Sequence, residues 1–126
     1  VSTLGQALDL AAPFDARAVG VVVDTFHIFW DPAVLGQIAR AGVEGRIATY
    51  QVCDWNMPIA ADPLLSRGYP GDGLIDFASL TRAVVDAGYA GDIECEIFNQ
   101  QIWDAEPALV AARARSAYEN LVEPHL

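Results

Sequence analysis

Basic residues are scarce in this sequence. Seven arginines and no lysine stand against 17 acidic residues, which gives the 126-residue chain a formal net charge of −10. A negative field of this size repels the phosphate backbone of nucleic acids and the surface of anionic membranes. We therefore expect neither nucleic acid nor a membrane as a partner of this chain.

Cysteines and long apolar runs are also few. Cys53 and Cys95 are the only cysteines, they form no CxxC pair, and both lie in apolar segments typical of strands. Buried, reduced thiols are the expectation for such positions. No apolar run approaches the roughly 18 residues of a membrane-spanning helix, and no charged-then-apolar leader opens the sequence. These absences favour a reducing, cytoplasmic setting.

The apolar residues that are present predict alternating strands and helices. They make up 53% of the chain, which is enough for a single domain over residues 1–126. Predicted strands cover residues 19–23, 46–52 and 92–98, and predicted helices cover residues 3–12, 31–41, 76–87 and from 107 onward. A helix followed by three strand–helix units indicates a parallel α/β sheet with right-handed crossovers.

The loops suggest a barrel. Connections that enter strands are short, whereas those that leave strands are long and hold most of the unusual polar residues. Active sites of parallel β/α folds lie at that end of the sheet. A complete (β/α)8 TIM barrel takes roughly 250 residues, so we expect about three β/α units, the C-terminal portion of one. A small open α/β sandwich is the alternative fold.

An incomplete barrel would leave sheet edges and an apolar interior uncovered. We therefore expect either a homo-oligomer or association with a missing N-terminal half.

Polar residues cluster at the predicted strand ends. Asp24 leaves a buried strand, and His27 follows three residues later, where it can reach the same space. A carboxylate at such a place is costly unless it is paired or bound to a metal. Gln51 lies inside the second strand and needs a partner there, which could be the core, a cation or a substrate hydroxyl. Asp54 and Trp55 begin the loop that follows.

Two glutamates on one face of an apolar strand are the least ordinary feature. Glu94 and Glu96 share a face by period-two alternation, and buried carboxylates either acquire raised pKa values or meet a cation. Arg67 precedes a glycine-rich stretch, 68–73, which has neither a Walker lysine nor a GxGxxG pattern. Its guanidinium could hold an anionic or polyhydroxyl ligand beside the acidic cluster.

Taken together, these motifs resemble the sugar phosphate isomerase/epimerase superfamily, the xylose isomerase-like TIM barrels. The resemblance covers nearly the whole chain and lies in segments 23–27, 51–54, 67–76 and 87–98, which correspond to strands six to eight of the family. It implies that Asp24, Gln51 and Glu96 bind a divalent metal, that Glu96 transfers protons, that His27 contacts the substrate or the metal, and that Arg67 contacts the substrate. We expect His27 to be catalytic together with Glu96, and Glu94, Asp54 and Trp55 to contact the substrate as well. A further glutamate ligand would come from strand five of the family.

One departure from the family concerns the metal. Gln51 stands where the family has a histidine, and an amide oxygen is a harder ligand than an imidazole. The resemblance therefore favours Mn²⁺ or Mg²⁺, with Co²⁺ or Zn²⁺ as alternatives, and leaves open a relative that has lost its metal.

The activity implied is that of a metal-dependent isomerase or epimerase. It would act on a sugar or sugar-like hydroxy-ketone by proton transfer between carboxylates, and the 126-residue segment alone would be inactive. Two alternatives stay open: a dehydratase or lyase of the same superfamily, and a non-catalytic sugar-binding or scaffold relative. An abasic-site endonuclease is disfavoured because it would need a basic face and more histidines.

Overall fold

The computed structural model describes all residues, 1–126. Its strands are β1 (Val21–Asp24), β2 (Ile47–Gln51), β3 (Asp54–Trp55), β4 (Arg67–Gly68) and β5 (Ile93–Glu94). Its α-helices are α1 (Leu4–Ala11), α2 (Thr25–Ile28), α3 (Val34–Val43), α4 (Phe77–Asp86), α5 (Gln100–Trp103) and α6 (Pro107–Leu121), and 3-10 turns cover Pro63–Ser66 and Glu123–His125. No helix has the length and apolar character that crossing a membrane requires.

Three parallel strands form the main sheet, in the order β1-β2-β5. Helices follow β1 and β2 along the chain and return it to the start of the next strand. This arrangement confirms the predicted α/β architecture, in which parallel strands are joined by helical crossovers.

One face of the sheet carries the core. Val23 and Tyr50 point from β1 and β2 toward helices α1, α3 and α4, where Leu8, Ile38 and Val84 are almost fully buried. The Tyr50 hydroxyl lies 3.0 Å from Thr81 Oγ1 on α4, and burial raises the pKa of Tyr50 to about 12. The phenol therefore stays neutral inside the core.

The opposite face of the sheet is open. Val22, which alternates with the buried Val21 and Val23, is 48% exposed. Strands β1 and β5 are the edges of the sheet, because each pairs only with β2. The sheet therefore has an uncovered face that carries an apolar side chain, and two edges that pair with no further strand. A partial barrel leaves these features exposed.

Several boundaries differ from the predicted ones. Thr3 caps α1 as expected, since its Oγ1 accepts a hydrogen bond from the Gln6 backbone N–H. Helix α3 begins at Val34 and not at the predicted Pro32, because Asp31 instead forms a turn with the backbone N–H of Ala33. Helix α4 ends before Gly88, whose φ of 83° only glycine adopts readily.

The third strand is much shorter than predicted. Only Ile93 and Glu94 pair with β2, and the ladder ends with the Val52 N–H donating to the Glu94 carbonyl. Residues beyond Glu94 have no second strand beside them. The prediction for Cys95 was also wrong: this residue is exposed, whereas Cys53 is buried. Cys95 lines an open cavity together with Ala114 and Tyr118 of helix α6, which leaves it accessible.

The segment predicted as one long loop is folded. Its strands β3 and β4 pair antiparallel, with Asp54 opposite Gly68 and Trp55 opposite Arg67. The hairpin brings Arg67 back beside the end of β2, which the pattern of Pro, Gly and Asp did not indicate.

We expect the isolated 126-residue chain to self-associate through its open sheet face. Light scattering should give a mass above the 13.5 kDa of one chain. Val22→Lys should shift the chain toward monomer, because it places a charge on the exposed apolar face. Val43→Lys, on the outer surface, should have no such effect. A monomeric native chain would contradict this prediction.

Candidate functional site

Three polar side chains form a row across the carboxyl end of the sheet. The parallel register pairs Asp24 with Gln51 and Gln51 with Glu94. Paired residues of neighbouring strands point to the same face, so these three side chains lie side by side. They lie on the open face, because Val23 and Tyr50, the preceding residues of β1 and β2, point into the core.

A buried arginine joins this row to the other predicted site residues. Arg67 Nη1 lies 3.0 Å from Asp24 Oδ2 and 3.2 Å from Glu96 Oε2, and Arg67 Nη2 lies 3.1 Å from His27 Nε2. The Arg67 side chain is only 2% exposed. Two carboxylates therefore balance one buried cation. Removing one partner of such a buried pair destabilises the protein, because it leaves the other charge uncompensated.

Aromatic rings and the backbone fix the position of Arg67. Its Cζ lies 4.7 Å from the centre of the Phe26 ring and 5.1 Å from that of Phe98. Asn99 donates a hydrogen bond from Nδ2 to the Arg67 carbonyl oxygen at 2.9 Å. The guanidinium is thus held by cation–π contacts as well as by carboxylates.

Asp24 has two structural partners. Its Oδ1 accepts a hydrogen bond from the Phe26 N–H at 2.9 Å and so caps helix α2, while Oδ2 faces Arg67. His27 Nε2 lies 3.6 Å from the same Oδ2. The His27 side chain is 58% exposed, so this imidazole can meet a ligand from the open side of the sheet.

Gln51 and Glu94 interact directly. Gln51 Nε2 donates a hydrogen bond to Glu94 Oε2 at 2.8 Å. Glu96, two residues beyond Glu94, instead reaches Arg67, and its side chain is 42% exposed. The two glutamates therefore share a face, as predicted, but contact different partners.

The structure places Asp54 away from this group, inside the loop. Its Oδ1 accepts hydrogen bonds from the backbone N–H groups of Trp55 and Ile75, and its Oδ2 accepts from Gly71 and Gly73, all between 2.8 and 3.0 Å. Its side chain is thus occupied by backbone donors and organises the turn at 71–75. A Cβ at Gly73 would overlap the Trp55 carbonyl.

We expect Asp54→Asn to destabilise the protein by about 2–3 kcal/mol, because the amide loses the charge that four backbone donors share and points an N–H₂ group at some of them. The free energy of unfolding in urea measures this change. Asp86→Asn, at an exposed position without a hydrogen bond, is the control and should change stability by under about 0.5 kcal/mol. Equal effects of the two substitutions on the free energy of unfolding would contradict the structural role of Asp54 in the loop.

Trp55 lies against aromatic neighbours. Its ring stacks on Phe26 with centres 4.3 Å apart. Together with Phe26 and His27 it lines an open cavity of about 590 Å³. Most of the residues that line this cavity are apolar, and of the polar group only His27 is among them. An aromatic surface of this kind can pack against the C–H face of a sugar-like ligand.

Cys53 lies beside the site as a buried thiol. Burial raises the pKa of its thiol to about 12, and the negative charge of Asp24 acts in the same direction. Its sulfur accepts a contact from Arg67 Nη1 at 3.4 Å. The thiol is therefore protonated at neutral pH, which makes it a poor nucleophile.

The donor groups suit a hard cation but do not complete its shell. No three His, Cys, Asp or Glu side chains of the chain form a metal-binding cluster by themselves. Asp24 Oδ2 and Glu96 Oε2 both contact one positive group, Arg67 Nη1, so an ion bound by these two oxygens would have to replace the guanidinium there. Gln51 lies next to Asp24 in the row. Carboxylate and amide oxygens are the donors that Mg²⁺ and Mn²⁺ prefer.

Comparison with known proteins decides the family. A family model described as xylose isomerase-like TIM barrel matches residues 1–120. The chain belongs to the xylose isomerase-like TIM barrel family. The predicted resemblance and fold class are thereby confirmed.

Two curated relatives carry different reaction names. A 3-dehydroshikimate dehydratase from Pseudomonas putida is 32% identical over 107 residues, which is 79% of this chain and 16% of that protein. An inosose isomerase from Halalkalibacterium halodurans is 23% identical over 99% of this chain and 44% of its own length. The chain thus spans less than half the length of these curated relatives.

Solved structures of the family superpose closely on the chain. Protein SMc04130 from Sinorhizobium meliloti 1021 is 42% identical, with a TM-score of 0.88 over 96% of this chain and 44% of its own. The IolI protein, solved with a zinc atom, has a TM-score of 0.86 at 22% identity, over 100% of this chain and 45% of its own. The fold is accordingly a partial TIM barrel.

The sequence predicted most members of the group that the structure assembles. Asp24, His27, Arg67 and Glu96 meet, and Gln51 and Glu94 lie beside them. The sequence did not indicate the residues that hold Arg67, namely Phe26, Phe98 and Asn99. Asn99 carried a usable signal, since an asparagine directly after a predicted strand often caps a helix, and it does cap α5.

Proposed function

We propose that this chain forms the C-terminal half of the active site of an isomerase or epimerase that acts on a sugar or sugar-like hydroxy-ketone. The supporting observation is the convergence of Asp24, His27 and Glu96 on Arg67 at the carboxyl end of parallel strands. That the curated relatives include an inosose isomerase and an L-ribulose 3-epimerase supports this class of reaction. The remaining barrel strands supply the rest of the site.

Asp24, Glu96 and the amide oxygen of Gln51 would hold a divalent ion, with at least one more ligand from outside the 126 residues. The zinc atom of the related IolI structure supports a metal in the family, and the oxygen donors here favour Mn²⁺ or Mg²⁺. When bound, such an ion polarises neighbouring substrate oxygens and acidifies the adjacent C–H bond.

Glu96 is the proton-transferring group of this half. It reaches the open side of the sheet, and its charge is balanced by Arg67. As a general base it takes the proton from the carbon beside the substrate carbonyl, and a second carboxylate from the rest of the barrel returns a proton to complete the reaction. His27, which is exposed on the open side of the sheet, contacts a substrate oxygen, and Trp55 packs against the carbon skeleton. Arg67, with a side chain only 2% exposed, holds the two carboxylates in place rather than the substrate.

The isolated chain holds only part of the proposed active site. Because one proton-transferring carboxylate and at least one metal ligand lie outside it, the 126-residue segment alone is inactive. The complete protein works on small molecules in the cytoplasm, as part of carbohydrate metabolism.

Exchange of substrate hydrogen into D₂O tests the proposal. The complete barrel protein, loaded with Mn²⁺, should catalyse exchange of the C–H beside the carbonyl of at least one ketose or inosose, as followed by proton NMR. Protein shown to hold metal but unable to exchange hydrogen in any such compound would refute the isomerase assignment.

A dehydratase is the second candidate, and the 32% identity to a 3-dehydroshikimate dehydratase favours it. The same carboxylate would remove the proton, but a hydroxyl group would then leave as water from the neighbouring carbon and a C=C bond would form. Absorbance of the unsaturated product in the ultraviolet distinguishes this outcome from isomerisation.

The metal content of the purified protein would distinguish an enzyme from a non-catalytic sugar-binding relative. Gln51 is the residue that favours such a loss of metal, because it replaces a histidine ligand of the family. Elemental analysis of the purified complete protein should give a near-stoichiometric amount of Mn, Mg, Co or Zn if the protein is an enzyme.

A further inference from the structure

We infer that Glu94 is a specificity-determining residue whose negative charge makes the site select uncharged polyhydroxy substrates over phosphate esters and carboxylates. This inference rests on the proposed function, since it names the substrate class of the same site, and it does not require a bound metal ion. The sequence suggested a substrate contact at Glu94, and charge is the property of the substrate that this contact would distinguish.

Glu94 is the carboxylate of the site that no cation balances. Asp24 Oδ2 and Glu96 Oε2 lie 3.0 and 3.2 Å from Arg67 Nη1, whereas the partner of Glu94 is the neutral amide of Gln51. Glu94 is also exposed, on the open side of the sheet. Its charge therefore acts on any ligand that enters there, and a cation that balances Asp24 and Glu96 does not remove it.

The hydrogen bond from Gln51 holds this charge in place. Gln51 Nε2 donates to Glu94 Oε2 at 2.8 Å, and the two residues are register partners on β2 and β5. The second oxygen, Glu94 Oε1, accepts no hydrogen bond from the protein. Because an ionised carboxylate only accepts hydrogen bonds, this oxygen can bind a substrate hydroxyl but has no hydrogen to donate to a phosphate or carboxylate.

The glycine-rich loop, which could otherwise hold a phosphate, already binds an anion of the chain. Backbone N–H groups that converge on one point are a common site for phosphate. Here the N–H groups of Gly71, Gly73 and Ile75 all donate to the Asp54 carboxylate, at 2.9 to 3.0 Å, and Asp54 is almost fully buried. These three donors are therefore not available to a ligand phosphate.

The basic residues offer no other anchor for an anionic group. Arg67 has a side chain only 2% exposed, and Arg46 donates to the carbonyl oxygens of Val19 and Phe14, which precede β1. The chain has no lysine. Of the remaining arginines, three pair with aspartates and two lie on helices α4 and α6: Arg17, Arg40 and Arg113, and Arg82 and Arg115.

Charge and surface together favour a neutral ligand. A phosphate or carboxylate beside Glu94 meets a like charge, and like charges placed together are an effective means of rejecting the wrong ligand. Hydroxyl groups meet an acceptor at the same place. Trp55, stacked on Phe26, offers its ring to the C–H face of the same molecule. Neutral ketoses and inososes have both kinds of surface.

The test is the ratio of kcat/KM for a neutral ketose to that for its terminal phosphate ester, measured as hydrogen exchange into D₂O with the complete barrel protein. Suitable pairs are D-fructose with D-fructose 6-phosphate and D-ribulose with D-ribulose 5-phosphate. The native protein should favour the neutral member. Glu94→Gln should lower the ratio about 10-fold at low salt, because the like charge is removed, and Glu94→Lys should lower it further. Glu119→Gln, the same change on α6, should keep the native ratio.

Two further readouts separate the possible outcomes. Added salt should lower the ratio of the native protein more than that of Glu94→Gln, because exposed charges are screened. A lost hydrogen bond or a loss of folded protein affects both members of a pair and leaves the ratio unchanged. Absence of exchange with every ketose and every phosphate ester would overturn the proposed function together with the inference. Exchange that favours the phosphate ester, or a ratio that neither Glu94 substitution changes, would overturn the inference alone.

Discussion

Replacing Arg67 with methionine should lower the free energy of unfolding by about 3–5 kcal/mol, the largest stability effect that we expect in this chain. The reason is the charge that the substitution leaves behind. Asp24 is buried, with a side chain only 6% exposed, and without Arg67 its carboxylate keeps no full positive charge beside it. Urea unfolding of the native protein and the variant measures the difference.

Matched variants show whether the buried pair is responsible. Arg115→Met removes an exposed arginine without a hydrogen bond and should have little effect. Arg67→Met combined with Asp24→Asn should lower the free energy of unfolding by clearly less than the sum of the two single changes. Each single change alone leaves the other residue without its partner. A loss below about 1 kcal/mol for Arg67→Met would mean that the cluster behaves as a surface ion pair and contributes little.

The second large effect concerns catalysis. Glu96→Gln in the complete barrel protein should reduce turnover about 10²–10⁴-fold at saturating Mn²⁺, because the amide cannot accept the substrate proton. Exchange of substrate C–H into D₂O should fall by the same factor, as it reports the proton-transfer step itself.

Stability provides the control for Glu96. Its side chain is 42% exposed, so the free energy of unfolding should change far less for Glu96→Gln than for Arg67→Met. Glu119→Gln, on the outer surface, should leave turnover unchanged. A Glu96→Gln variant with native exchange rates would show that another group moves the proton.

Local signals in the sequence were sufficient for the framework of this site. The β-branched run that ends in Asp24 predicted both a buried strand and an acid at its carboxyl end. The spacing to His27 placed the imidazole beside that acid, where the short helix α2 now holds it. Period-two alternation correctly put Glu94 and Glu96 on one face, although only the first of them lies within the strand.

Long-range contacts were beyond the reach of such signals. Arg67 and Asp24 are 43 residues apart, and nothing in the spacing of the loop 54–75 indicates that the short antiparallel strands β3 and β4 return the arginine to the sheet. The burial of Arg67 also depends on Phe98, which belongs to a different segment again. These contacts form only when the sheet has assembled. The sequence placed Arg67 beside the acidic cluster and suggested a ligand for it, but did not identify Asp24 and Glu96 as its ion-pair partners.

Asp54 illustrates a related difficulty. An acid directly after a strand has the same appearance in the sequence whether it faces a ligand or accepts backbone hydrogen bonds. The glycines at 71 and 73 provided the relevant hint, since close backbone approach requires residues without a side chain. The structure pairs their N–H groups with Asp54, and its role in the loop follows from those contacts.

We propose that Asp24, Gln51 and Glu96 supply oxygen ligands to one divalent ion within a complete barrel. Crystals of the complete barrel protein grown with Mn²⁺ test this claim most directly, because anomalous scattering locates manganese independently of any assumed ligand. We predict a single strong anomalous peak within bonding distance of Asp24, Glu96 and the carbonyl oxygen of Gln51. A peak elsewhere, or fully loaded crystals with no peak beside these residues, would contradict the account.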